Sequence, residues 1–144
     1  MDVINYREDE QVFTEILAKL GEKDRMRLAS GYLNLPDEYL NKMSESLRSH
    51  EALKIELLTA SPSANGFYRA GRIKKYIPGV YRVVEEKILK LGHKNLSMHE
   101  YSNHGWTFHG KGAWLYEDSD DHVSMSVIGS SNFCYRSNRR DTEC

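Results

Sequence analysis

The sequence predicts an α/β layered domain, a mixed β-sheet flanked by helices. Two observations predict it. Helix and strand patterns alternate through the first two thirds of the chain, and three strand patterns then follow one another. Alternation suits parallel strands joined by helices, whereas closely spaced strands suit antiparallel pairing. With 144 residues the chain reads as a single domain, 1–144, with a real core. No internal repeat is visible at the periods typical of repeat proteins.

Taken in order, residues 9–20 (DEQVFTEILAKL) place Val12, Phe13, Ile16, Leu17 and Leu20 on one helical stripe that stops at Gly21. Residues 26–35 read as a strand ending near Gly31, then a loop. Pro36-Asp37 opens a second helix, 37–49, with Leu40, Met43 and Leu47 facing inward. Residues 54–60 (KIELLTA) are short and mostly apolar, as suits a strand in the middle of a sheet. Ser61 to Gly66 is a loop. From 67 to 94 the chain turns basic: Arg69, Arg72, Lys74, Lys75, Arg82, Lys87, Lys90 and Lys94 face only Glu85 and Glu86. Pro78 fits the first turn of a long helix reaching about Leu91, with Tyr81, Val84, Ile88 and Leu91 as its apolar stripe and Gly92 as its stop. Residues 95–101, 106–116 and 122–128 read as strands. Glu117, Asp118, Asp120 and Asp121 mark an exposed turn between the last two.

Charge and composition narrow the function. A formal net charge of −1 gives no global basic field, so nucleic acid is not an expected partner. No apolar run reaches the roughly 18–20 residues of a membrane span, and the first residues carry no targeting pattern. Cys134 and Cys144, ten apart, make neither a disulfide framework nor a CxxC pair. They read as two thiols in a reducing compartment. Among the six histidines, His99, His104 and His109 are spaced by five, which fits neither a helix face nor zinc-site spacing. No metal and no cofactor are expected.

The chemistry concentrates in residues 108–143. His109 and Lys111, two apart in a strand-forming run, are expected on one face. That pairs a titratable nitrogen with a fixed positive charge. About twenty residues later, Gly129-Ser130-Ser131-Asn132 supplies small hydrogen-bonding groups, followed by Arg136, Arg140, Asp141 and Glu143. Such a set suits a phosphoryl group.

An isolated H-x-K arises often by chance. Followed by G-S-x-N and an R-S…D-x-E tail, it resembles the second catalytic half of the phospholipase D superfamily. Ala29-Ser30-Gly31-Tyr32-Leu33-Asn34 is similar to that family's A-T/S-G-Y-F-N strand end. Thr59-Ala60-Ser61-Pro62 with Asn65-Gly66-Phe67, and Gly105-Trp106-Thr107-Phe108-His109-Gly110-Lys111-Gly112 with Trp114-Leu115-Tyr116, resemble one branch. That branch is the eukaryotic CDP-diacylglycerol–glycerol-3-phosphate 3-phosphatidyltransferases. The superfamily aspartate after H-x-K would fall at Tyr116. The resemblance implies that the branch is without it in this half.

The resemblance implies a phospholipase D-like fold, incomplete at the C-terminus, carrying one H-x-K motif at 109–111 where the family assembles two. It implies transfer of a phosphatidyl group from CDP-diacylglycerol to glycerol 3-phosphate, releasing CMP, on the route to phosphatidylglycerol and cardiolipin. The place is mitochondrial. One histidine forms a phosphohistidine and the other handles protons. His109 takes the acid–base role first and the nucleophilic role second. Lys111 holds the phosphate, Ser130 and Asn132 contact it or position neighbours, and Glu143 orients an imidazole. The implied partners are both substrates, an anionic membrane surface met by the basic stretch, and a first-half catalytic domain. Two other readings stand beside this one: a phospholipase D-type nuclease acting as a homodimer, and a non-catalytic lipid-binding fragment.

Overall fold

The computed structural model describes residues 8–65, 86–118, 120–130 and 132–134. The element order is α1 (Glu8–Ala18), β1 (Arg25–Ser30), α2 (Asp37–Ser49), β2 (Lys54–Ala60), a 3₁₀ turn (Pro62–Ala64), β3 (Leu96–Tyr101), β4 (Lys111–Tyr116) and β5 (Met125–Val127). Residues 86–89 are helical, at the place expected for the end of the helix opened by Pro78. The earlier part of that expected helix and the basic side chains from Arg69 to Arg82 lie outside the described residues, as do Tyr68, Tyr76 and Tyr81.

The five strands form one mixed sheet in the order β3-β2-β1-β4-β5. β1 pairs in parallel with β2, and β2 with β3. β4 runs antiparallel to β1, and β5 antiparallel to β4. The α/β reading holds, with the parallel part coming from the alternating half of the chain and the antiparallel part from the strand cluster. β2 sits inside the sheet, as its apolar run requires.

One face of the sheet carries the core. Met26 and Leu28 of β1, Ile55, Leu57 and Thr59 of β2, and Ala113 and Leu115 of β4, alternate residues of their strands, are buried on it. Against them pack Phe13, Leu17 and Leu20 from the α1 region and Tyr39, Met43 and Leu47 from α2, together with Ile88. The opposite face carries Arg27, Glu56, Leu58, His99 and Trp114, which line a shallow cavity. There Arg27 Nε donates to Glu56 Oε2 at 2.5 Å, and the Arg25 guanidinium lies 4.3 Å over the Tyr116 ring.

Several expectations shift. Val12 is 55% exposed, so the α1 stripe is narrower than its apolar spacing suggests. The first strand ends at Ser30, as expected near Gly31, and the chain then turns into the loop before α2. The strand expected over 122–128 is only Met125–Val127. Asp24 closes the edge of the sheet where β1 begins. Its buried carboxylate accepts from the N–H of Gly21 (2.7 Å) and the N–H of Asp118 (3.1 Å), tying the entry of β1 to the exit of β4.

The acidic turn between β4 and β5 is real and carries a titrating pair. Asp120 Oδ1 accepts from the His122 backbone N–H at 3.1 Å and lies 3.0 Å from His122 Nδ1. The hydrogen bond to Asp120 raises the His122 pKa, and the same bond lowers that of Asp120. The contribution of His122 is therefore present below about pH 6.5 and lost as pH rises through its folded midpoint. That of Asp120 is present above about pH 3.9 and lost as pH falls through its own folded midpoint. By proton NMR, His122 is expected to titrate above an unstructured peptide histidine. In Asp120→Asn it is expected to fall back toward the peptide value, with the Asp121 charge still raising it.

Candidate active site

The C-terminal ends of β1, β2, β3 and β5 and the N-terminal end of β4 all fall along one edge of the sheet. Open α/β sheets gather ligands at that edge, where side chains and loops converge without competing for ladder hydrogen bonds. His109 and Lys111 lie on it.

Their geometry differs from the expected one. The strand read over 106–116 begins only at Lys111, which pairs with Ser30. His109 stands in the preceding loop, so alternation along a strand does not align the two side chains. Lys111 reaches back instead. Its Nζ lies 3.0 Å from His109 Nδ1 and 3.2 Å from the His109 carbonyl oxygen. An ammonium has donors and no acceptor, so Nδ1 must be the accepting nitrogen. A neutral His109 bonded this way carries its proton on Nε2, and it becomes an acid only as the imidazolium, with a second proton on Nδ1 once Lys111 has left it. The Tyr32 ring stands edge-on to the imidazole at a centroid distance of 6.2 Å. His109 is exposed and Lys111 half-buried, so the pair is open to an incoming anion.

Ser130 and Asn132 follow β5 onto the same edge. Ser130 is exposed. Asn132 is half-buried, and its Oδ1 is enclosed with no hydrogen-bond partner among the described residues. A buried amide oxygen left unpaired is costly, and a bound group that donates to it would remove the cost. Ser131, Arg136, Arg140, Asp141 and Glu143 lie outside the described residues. Lys111 occupies the imidazole nitrogen that a carboxylate such as Glu143 would take if it oriented this ring through Nδ1.

The sequence did not single out the hydroxyls of the neighbouring strand ends. Ser61 Oγ lies 3.0 Å from Ser63 Oγ, which lies 3.5 Å from Ser102 Oγ. The Ser-Pro-Ser spacing was the available signal, since a serine before proline commonly caps a turn, and Ser61 Oγ does accept from the Ala64 N–H. No group of three or more His, Cys, Asp or Glu is arranged to hold a metal among the described residues. No described helix is long and apolar enough to cross a membrane.

No family model matches the chain. Curated relatives do. A Dictyostelium discoideum protein named a probable CDP-diacylglycerol–glycerol-3-phosphate 3-phosphatidyltransferase is 32% identical over 99% of this chain and 25% of its own length. The mitochondrial CDP-diacylglycerol–glycerol-3-phosphate 3-phosphatidyltransferase of Homo sapiens is 34% identical over 93% of this chain and 24% of its own. The Schizosaccharomyces pombe enzyme of that name is 34% identical over 94% and 27%. The chain spans about a quarter of the length of the curated relatives it matches. The crystal structure of phosphatidylserine synthase from Haemophilus influenzae superposes on 76% of this chain and 25% of that one, with a TM-score of 0.62 at 19% identity. The likeness is one of fold, and it bears out the expected α/β class, a mixed sheet flanked by helices. The resemblance to the phosphatidyltransferases is borne out over nearly the whole chain.

Proposed function

We propose that this chain supplies one H-x-K half of the active site of a CDP-diacylglycerol–glycerol-3-phosphate 3-phosphatidyltransferase. The observation that carries the reading is 32–34% identity to such enzymes over 93–99% of the chain. The His109–Lys111 contact at the ligand-gathering edge supports it. A histidine of the other half attacks the phosphorus of the phosphatidyl group. The bond from phosphorus to the CMP oxygen breaks, and His109, as the imidazolium protonated at both ring nitrogens once Lys111 has left Nδ1, gives its Nε2 proton to that oxygen. In the second step His109 takes the proton of a glycerol 3-phosphate hydroxyl, whose oxygen attacks phosphorus and breaks the phosphorus–nitrogen bond. Lys111 leaves Nδ1 for the phosphoryl oxygens as charge grows on them. Ser130 and Asn132 contact the phosphoryl group or its neighbours, and Glu143 orients an imidazole.

The lipid substrate and an anionic bilayer approach from the same edge. Trp106 is 65% exposed and Ile128 72%, more than the other large apolar side chains described, and each belongs to a loop on that edge. Tryptophan favours the boundary between lipid and water. A mitochondrial location for this chain rests on the name of the human relative.

The test is complementation. The chain is produced with a separate chain bearing an upstream H-x-K half, and CMP release from CDP-diacylglycerol is followed. Release that requires both chains and glycerol 3-phosphate is expected. DNA cleavage by a homodimer of this chain would overturn the reading. Lipid flotation with no transferase turnover in the assembled pair would also overturn it.

A further inference from the structure

His109 owes its position to its neighbours in the chain. The loop from 102 to 110 runs along the sheet edge and is fastened to it by backbone hydrogen bonds. The Ser61 N–H donates to the Tyr101 carbonyl at 2.9 Å, at the start of the loop. The Phe108 N–H donates to the Ala64 carbonyl at 2.9 Å, and the Gly31 N–H donates to the Gly110 carbonyl at 3.2 Å. The residues on both sides of His109 are thus tied to the turn after β2 and to the end of β1. The Phe108 ring stacks on Tyr101 at 5.2 Å, which fixes the loop from a third direction.

Two glycines make this fit possible, and each does so through space rather than an unusual backbone angle. A Cβ on Gly31 would lie 2.9 Å from the Phe108 carbonyl oxygen, closer than real Cβ contacts come. A Cβ on Gly110 would lie 3.0 and 3.1 Å from the Phe108 ring. The obstacles differ in kind. At Gly31 it is backbone that cannot turn away, whereas at Gly110 it is the end of a side chain.

We propose that Gly31 is a positioning residue for the phosphoryl-transfer site: it lets the end of β1 approach the Phe108–Gly110 backbone and so sets where the His109 imidazole stands. The proposal rests on the reading that His109 handles protons at phosphorus. A displacement of about 1 Å at such a group can cost about 10²-fold in rate.

Gly31→Ala is expected to lower kcat for CMP release about 10²-fold, with KM for CDP-diacylglycerol changed less than about twofold. It is also expected to move the His109 imidazole NMR signals in the 144-residue chain, a readout that needs no turnover. Gly110→Ala should shift the same signals and lower kcat less. Adding Phe108→Leu should restore the Gly110→Ala variant, by removing the ring its methyl meets, and should not restore Gly31→Ala. Should Gly31→Ala fail to fold, the Gly110 pair decides. A folded Gly31→Ala with unmoved His109 signals, or a Gly110→Ala that Phe108→Leu leaves uncorrected, would overturn the proposal. Moved signals together with turnover that survives His109→Ala would instead keep the positioning and sink the catalytic reading.

Discussion

His109→Ala in the assembled two-half enzyme is expected to lower steady-state CMP release by roughly 10²–10⁴-fold. The loss should not fall equally on the two half-reactions. CMP leaves as a phosphate and needs little help from an acid. The glycerol 3-phosphate hydroxyl is an alcohol and needs a base to attack. With His109 as the acid–base partner, the variant should still release a first equivalent of CMP and then stall with the phosphatidyl group on the other histidine. Rapid-quench measurement of the CMP burst, with isolation of the acid-labile adduct, reads this directly. A variant with no burst and no adduct would place the nucleophile at His109. Unchanged turnover would remove His109 from the site.

Leu57→Ala is expected to cost about 3–5 kcal/mol of folding stability. Leu57 is fully buried and pairs with Leu28 on one side and Met98 on the other, inside the sheet. Neither neighbouring strand can shift to fill the space without breaking its own ladder, so a cavity remains. Small domains are stable by only about 5–15 kcal/mol, so this one change removes a large share. Leu58→Ala, one residue on and facing the other side, should cost only about 1 kcal/mol, because that side chain is half-buried. Urea unfolding of both variants tests the contrast. Equal losses would mean that the face with Arg27 and Trp114 is as dry as the face under α1 and α2.

What could be read from the residues alone follows how local the signal is. α2 and β2 come out with their expected bounds, since an amphipathic stripe after Pro36 and an apolar run of strand length both declare themselves within a few residues. The start of β4 does not. Trp106, Thr107 and Phe108 have strand-forming side chains, yet the Trp106 N–H is taken up by a turn at Asn103 and the Phe108 N–H by Ala64, a partner no short window contains. Tyr39 shows the same limit: it is buried against Phe13, although nothing beside it in α2 requires that. His109 and Lys111 were legible as a pair because chemistry marks them. How they meet was not, because it depends on a lysine folding back from the first residue of a strand.

The hydrogen bond from Gly31 to Gly110 closes most of the described chain into one loop, whereas the pairing of β1 with β2 closes only the short stretch holding α2. Loop closure costs more entropy the longer the loop, and distant contacts slow folding. The parallel strands and their helices should therefore assemble early, and the edge bearing His109 and Lys111 should be among the last parts to form. Substitutions at Gly31 or Phe108 should then act mainly on the unfolding rate, while those at Leu28 or Leu57 should slow folding itself. A nascent chain would hold a formed core before it held a formed site.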